Sequence, residues 1–333
     1  MSEIRVGLNG CGGMGKGLIS QLVTIEGAKL VAGADCFEES RIKFADEYKV
    51  PVYESLTDML AGADLDAVVI ATPNDFHAPN TIEAAQAGKH VFCEKPMSLT
   101  LENCQAMIDA CKAANVKLQI GQVLRYLPDF NKALELIRAG ELGNMRHGLI
   151  CRYSGPRPDW GGTWRDDPAK VGHNLFEVSV HELDFMRCVF GKPVAVTGWD
   201  IPFGEGDKLW SRATTGTVEF ESGAICVIIE GMFNPIGRTE VELSGDAGAA
   251  RFCWGKEFTY KPIAGEGGWT KPGSEIAEGA EDGRRRELRE WIECIANDTP
   301  PTIPGEEGKA NIELALAILK SSAEHRRLTL PLD

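Results

Sequence analysis

The chain has 333 residues, a length that suggests two domains or one large one, and its 43 % hydrophobic and 25 % charged composition excludes wholesale disorder. Lys and Arg number 35 against 49 Asp and Glu, a net charge of −14 that argues against a general nucleic-acid binder, because an acidic surface repels phosphate polyanions.

Residues 4–9 read as a strand, and Met14, Leu18, Ile19, Leu22 and Val23 place apolar positions at helical spacing over 14–25. A second strand is expected at 29–34, a polar helix at 38–48 and a short strand at 50–53. Ser55, with Asp58 three residues on, has the pattern of a helix N-cap. Ala67-Val68-Val69-Ile70-Ala71 is a short continuous apolar run, the signature of a strand buried on both faces of a parallel sheet. A helix over 78–87 closes at Gly88, His90 to Cys93 form a strand, Thr100 caps a helix to Ala114, and 117–120 return to strand. This β-α alternation predicts a doubly wound parallel sheet.

After about residue 145 the pattern changes. Segments 145–153, 194–200, 215–220, 224–231, 239–244 and 249–254 read as strands with Gly-rich breaks, which predicts a large, mostly antiparallel sheet. Residues 262–283 read as a loop over that sheet, and 283–297 and 306–326 as amphipathic helices. The run Arg284-Arg285-Arg286, followed by Glu287, Glu290 and Glu293 at helical spacing, reads as a solvated helix face. The expected organisation is a dinucleotide-binding Rossmann domain at 1–122 and a substrate-binding and oligomerisation domain at 123–333, with the C-terminal helix packing back on the first.

No apolar run approaches the roughly 18 residues that span a bilayer, and the charged start Met1-Ser2-Glu3-Ile4-Arg5 does not read as a secretory signal. The ten Cys lack any Cys-x-x-Cys pair. Cys11, Cys93, Cys188 and Cys226 sit in apolar or Gly-rich segments, as expected of reduced, mostly buried thiols in a cytoplasmic protein.

Gly10-Cys11-Gly12-Gly13-Met14-Gly15 matches G-x-G-x-x-G between a strand and a helix. The first Gly permits the turn, the second lets a pyrophosphate approach the backbone, and the third lets helix and strand pack closely. Asp35 lies 20 residues past Gly15, at the end of the second strand. A carboxylate there accepts hydrogen bonds from the adenosine ribose and repels a 2′-phosphate, so NAD is expected over NADP.

Three further stretches resemble the glucose-fructose oxidoreductase / inositol dehydrogenase / rhizopine catabolism (Gfo/Idh/MocA) family. They are Ala71-Thr72-Pro73-Asn74 with His77, the segment Gly88 to Pro96 with its Glu94-Lys95-Pro96 tripeptide, and the segment Gly172 to Asp184. The resemblance implies a Rossmann domain followed by an α/β domain with a large open sheet, and dimers or tetramers formed through that sheet. It also implies oxidation or reduction of a secondary alcohol on a sugar, cyclitol or related polyol.

By this resemblance Thr72, Pro73, Asn74, His77 and Glu94 join Gly10, Gly12, Gly13, Met14, Gly15 and Asp35 around the cofactor. Lys95 matches the catalytic Lys, and the Lys95–Pro96 bond is expected to be cis. A strand-end Lys beside a cofactor can hydrogen-bond a substrate hydroxyl, whereas an arbitrary Lys here would simply pair with Glu94 on the surface. Gly121 to Tyr126 resembles a stretch at the family's domain junction. There Gln122 reaches for the nicotinamide ribose, and Arg125 serves equally well as a structural tie between domains.

His173, Glu177, His181 and Asp184 share one face if 174–187 is a single helix. His181 matches the family's acid–base His, whose ordinary pKa of about 6.5 suits proton transfer. Glu177 stands where many members have Asp, and His173 and Ser179 where Gly is common; Asp184 supports His181 or the backbone. Ligand spacing alone leaves a metal site open, as it does a face of satisfied polar groups, but the family chemistry needs no metal. The loop ahead of this segment supplies Trp164 and Arg165 to the cofactor, and Arg157 and Trp160 to the substrate, with plain loop packing as the alternative. Phosphorylated sugars are disfavoured because Arg157 and Arg165 are the loop's only fixed cations.

The expected activity is NAD-dependent hydride transfer from a secondary alcohol of a sugar, cyclitol or anhydrosugar. The alternatives are an NAD-retaining glycosidase or epimerase that oxidises transiently, and a non-catalytic NAD-binding sensor.

Overall fold

A computed structural model describes residues 3–157, 159, 161–203 and 212–332. The chain divides into two compact units, Met1–Val123 with Glu281–Ile312, and Leu124–Ala280 with Glu313–Asp333.

The first unit holds six strands, β1 (Ile4–Asn9), β2 (Ala28–Ala34), β3 (Val52–Tyr53), β4 (Ala67–Ile70), β5 (His90–Cys93) and β6 (Leu118–Ile120). They pair in the order β3-β2-β1-β4-β5-β6, every pair parallel. Connections run one way from β1 to β3 and the other from β4 to β6, so the sheet reverses between β1 and β4. In open α/β sheets the crevice at that reversal, beyond the strands' C-terminal ends, is where ligands bind. All four residues of β4 are buried, as its unbroken apolar run requires. Ser55 and Thr100 cap their helices, accepting from the backbone N–H of Asp58 and Asn103.

The helix Gly283–Ala296 belongs to this unit because its apolar face completes the unit's core. Leu288, Trp291 and Ile292 pack with Leu8, Leu18, Leu22 and Phe92, and Trp291 meets Phe92 edge to face at 5.7 Å. This corrects the expected solvated face in one respect. Glu287 is 1 % exposed, and its carboxylate accepts from the backbone N–H of Gln122 while its carbonyl accepts from Gln119 Nε2 at 3.0 Å. A buried carboxylate must find donors, and the end of β6 supplies them.

The second unit holds β7 (Met145–Tyr153), β8 (Pro193–Pro202), β9 (Arg212–Phe220), β10 (Ile225–Gly231), β11 (Arg238–Gly245), β12 (Gly248–Cys253), β13 (Glu257–Pro262), β14 (Trp269–Pro272) and β15 (Leu328–Thr329). They form one sheet, β14-β13-β12-β11-β7-β10-β9-β8-β15, antiparallel except for the β7–β10 pair. The expected loop at 262–283 is therefore overturned: the end of β13, all of β14 and a turn of helix at Gly273–Ile276 lie in it. One sheet face is covered by the helices Pro128–Arg138 and Val180–Phe190, where Phe130 stands 5.0 Å from Phe185 and from Phe252. Gly198 lets the helix Gly305–Glu324 come close, since a Cβ there would stand 2.1 Å from the Ile318 carbonyl oxygen.

Trp291 is the largest fully buried side chain of the first unit's core. Trp291→Ala is expected to cost about 3–5 kcal/mol, read as a lower urea midpoint with little change in slope; a change within about 0.5 kcal/mol would mean that this helix is not part of the core.

Candidate functional site

In the first unit the residues expected around the cofactor gather at the sheet reversal. Gly10 ends β1 with φ of 102°, and a Cβ on it would meet the Ala71 carbonyl oxygen at 2.5 Å. A Cβ on Gly15 would stand 2.0 Å from the Gly10 carbonyl oxygen, so only a Gly lets the helix Gly13–Leu22 start against the turn. Gly12 and Gly13 face open space, with no atom within 4 Å of an added Cβ. A turn tight on both sides and open above the helix N-terminus fits a dinucleotide pyrophosphate, because the first helical N–H groups and the helix dipole attract it. Burial pushes the Cys11 thiol up to about 12, so no thiolate opposes the phosphates.

Asp35 follows β2, and its two carboxylate oxygens accept from the backbone N–H of Cys11 at 2.8 Å and Phe37 at 2.9 Å. These bonds fix the carboxylate beside the glycine turn. The neighbouring Phe37 is 70 % exposed, a free aromatic face beside that acid.

The loops after β4 and β5 are joined by His77. Its Nδ1 lies 2.7 Å from the Pro96 carbonyl oxygen and its Nε2 2.9 Å from the Thr72 carbonyl oxygen. At 1 % exposure the ring is a strut packed between the two loops, its N–H donating to one of the two carbonyl oxygens, next to Lys95. The Lys95–Pro96 bond is cis. Glu94 turns its carboxylate back to the Lys95 backbone N–H at 3.1 Å. Asn74 and Gln122 are 3 % and 1 % exposed and are held within the same end of the sheet.

In the second unit the segment from His173 is not one helix. It forms Asn174–Glu177, then breaks at Val178 and Ser179, and resumes as Val180–Phe190. The expected single face over 174–187 is thereby corrected, and the four residues take separate partners. His173 caps the first piece, its Nδ1 accepting from the Leu175 N–H at 3.1 Å, and its Nε2 lies 3.1 Å from Asp200 Oδ1. Glu177, 6 % exposed, accepts from Arg165 Nε at 2.7 Å, and the Arg165 guanidinium lies 4.2 Å over the Trp164 ring. Asp184, fully buried, takes the Arg125 fork in two bonds of 2.6 Å, so the tie that Arg125 makes lies within the second unit. His181 is partly exposed at the start of the resumed helix. Arg157 pairs with Asp159 at 2.7 Å, and Trp160 lies outside the described residues.

Two groups carry no motif and escaped the sequence. Burial pushes the Asp200 carboxyl up, but hydrogen bonds from His173, Arg212 and Thr214 outweigh it and hold the group well below the usual carboxylate range. Glu230 on β10 is 1 % exposed, and burial pushes its carboxyl up to about 8 despite bonds from Asn174 and Ser179. Only their place in the sheet, beneath the broken helix, reveals them. Among the described residues no group of three His, Cys, Asp or Glu is placed to hold a metal, and no helix is long and apolar enough to cross a membrane.

Comparison with known proteins covers nearly the whole chain. Residues 4–122 match the family model of an oxidoreductase family with an NAD-binding Rossmann fold, and 134–330 match that family's C-terminal alpha/beta domain. The chain is 28 % identical to the inositol 2-dehydrogenase of Rhizobium meliloti (strain 1021), covering 98 % of this chain and 99 % of the relative. It is 28 % identical to the myo-inositol 2-dehydrogenase of Thermotoga maritima, covering 98 % of each. The WlbA dehydrogenase of Bordetella pertussis, solved with NADH and UDP-GlcNAcA, has the same fold, with a TM-score of 0.90, 24 % identity, and coverage of 100 % of this chain and 99 % of that one.

Glu230 yields a test of the second unit. Its raised folded pKa favours folding below the unfolded value, and that contribution is lost as pH rises toward 8. Glu230→Gln, which stays neutral, is therefore expected to melt higher than the native protein at pH 8 and to lose that advantage at pH 5. A Tm difference that does not change between the two would show that Glu230 is ionised throughout.

Proposed function

The chain belongs to the Gfo/Idh/MocA oxidoreductase family, and from that premise we propose that it is an NAD-dependent dehydrogenase acting on a secondary alcohol of a sugar, cyclitol or anhydrosugar. The observation that supports the reading is the His77 strut between the Thr72 and Pro96 carbonyls, next to Lys95 and at the same end of the sheet as the glycine turn. The inositol dehydrogenases among the relatives support the substrate class.

When bound, NAD supplies the hydride acceptor. Lys95 donates a hydrogen bond to the substrate oxygen and stabilises the negative charge that develops there. His181 takes the hydroxyl proton as the C–H bond gives up its hydride. Glu177, which accepts from Arg165, orients the substrate in this reading, and Trp164 and Arg165 contribute to holding the cofactor. The Asp35 carboxylate accepts from the adenosine ribose, and its charge disfavours the 2′-phosphate of NADP.

The second sheet's uncovered face, with Leu149, Val227 and Ile229 half-exposed beside Thr215 and Thr217, suits a second copy of the chain, so a homodimer or homotetramer in the cytoplasm is part of the reading.

Lys95→Ala is expected to lower turnover about 10²–10³-fold while the NAD dissociation constant stays within about twofold. Unchanged turnover would remove Lys95 from the chemistry. Asp35→Ser is expected to move the NAD-to-NADP ratio of kcat/KM toward NADP by roughly tenfold or more, the scale of one charged contact. A ratio that stays put would place the discrimination elsewhere.

A further inference from the structure

The cations nearest the expected substrate loop are already neutralised, Arg157 by Asp159 and Arg165 by Glu177. A second group of basic side chains lies at another place in the second unit, where β7 and β12 end and β11 begins. A cavity of about 290 Å³ there is lined by Arg152, Arg238, Lys256, Ser154 and Trp254 among others, and no carboxylate is among its lining residues. The cavity wall holds three cations and no acid, in a chain with 49 acidic and 35 basic side chains.

The two arginines have acidic partners outside the cavity wall, and Lys256 adds a further positive charge. Arg152 is anchored from behind, its Nη1 donating to Thr239 Oγ1 at 3.0 Å and lying 3.3 Å from the buried Glu182, while its Nε is a buried donor without an acceptor. Arg238 is half-exposed and shares Glu240 with Arg251, so one acid offsets two bases. Lys256 is exposed at the mouth. Trp254 is 40 % exposed and is steadied by Arg152, whose guanidinium lies 5.4 Å over the ring, and by Phe130. An Arg fork, a mobile ammonium and a hydroxyl are the groups that bind a tetrahedral dianion, and an exposed indole beside them offers a flat face to a sugar ring.

We propose that this cavity is a binding site for a phosphate group, either free phosphate or the phosphate of a sugar ester. The site is separate from the glycine cradle and does not rest on the hydride-transfer reading. Glu182 follows His181 on the same helix, so a ligand that draws on Arg152 also loads the helix that carries His181.

The test is calorimetric titration of the protein, saturated with NAD so that the glycine cradle is filled, with inorganic phosphate and with glucose 6-phosphate at constant ionic strength. Saturable binding of at least one probe is expected, weakened about tenfold or more by Lys256→Ala and by Arg238→Ala, two exposed positions whose truncation leaves the core intact. Tighter binding of glucose 6-phosphate than of phosphate, lost in Trp254→Ala, assigns the site to a sugar ester; equal affinity assigns it to free phosphate. Absence of saturable binding for both probes, or affinities that neither Lys256→Ala nor Arg238→Ala changes, overturns the proposal.

Discussion

The first unit depends on one close pass of backbone over backbone. Gly15 crosses the Gly10 carbonyl at a distance that excludes any side chain, and Gly10 in turn lies against Ala71 at the end of β4. That contact sets the start of the helix Gly13–Leu22 and therefore the direction of its N-terminal N–H groups. It also joins β1 to β4 at the reversal of the sheet, beside the loop that His77 links to the Pro96 carbonyl. The open glycine turn and the loop that carries Lys95 thus meet at the same end of the sheet, and Asp35 closes the arrangement by accepting from the Cys11 N–H.

The second unit is organised by charge pairing beneath its sheet cover. Glu177, Asp184 and Asp200 are each held by an Arg, from Arg165, Arg125 and Arg212 respectively. Buried carboxylates without such partners would be strongly destabilising, and removing one partner of such a pair typically costs about 3–5 kcal/mol. The pairing leaves the polar segment around His181 close to neutral, which suits hydroxyl groups better than anions. Arg152, Arg238 and Lys256 lie elsewhere, at the ends of β7 and β12 and the start of β11, so the proposed phosphate site uses a different part of the unit from the segment around His181.

Much of this was legible in the sequence. Short apolar runs and helix caps located all six parallel strands, most plainly β4, whose unbroken apolar run is buried throughout. The glycine turn was legible because its geometry admits no other residue at Gly10 and Gly15. What was missed has several causes: β14 is the edge strand of the sheet, where Gly, Pro and charged residues are tolerated and no apolar alternation need appear. The break at Val178 and Ser179 has neither Gly nor Pro to mark it. Glu287 looked solvated because a run of Arg and Glu at helical spacing says nothing about a partner as distant in sequence as Gln122. Glu230 and Asp200 acquire their character from burial and from neighbours on other strands, which no local pattern encodes.

The most direct measurement of the central claim is to incubate the purified protein with NAD and a panel of inositols, aldoses and anhydrosugars and to follow free NADH. The account predicts NADH accumulating over many turnovers with at least one secondary alcohol. Tightly bound NAD that purifies with the protein, together with consumption or isomerisation of a sugar and no free NADH, would contradict it and identify an enzyme that returns its hydride to the substrate.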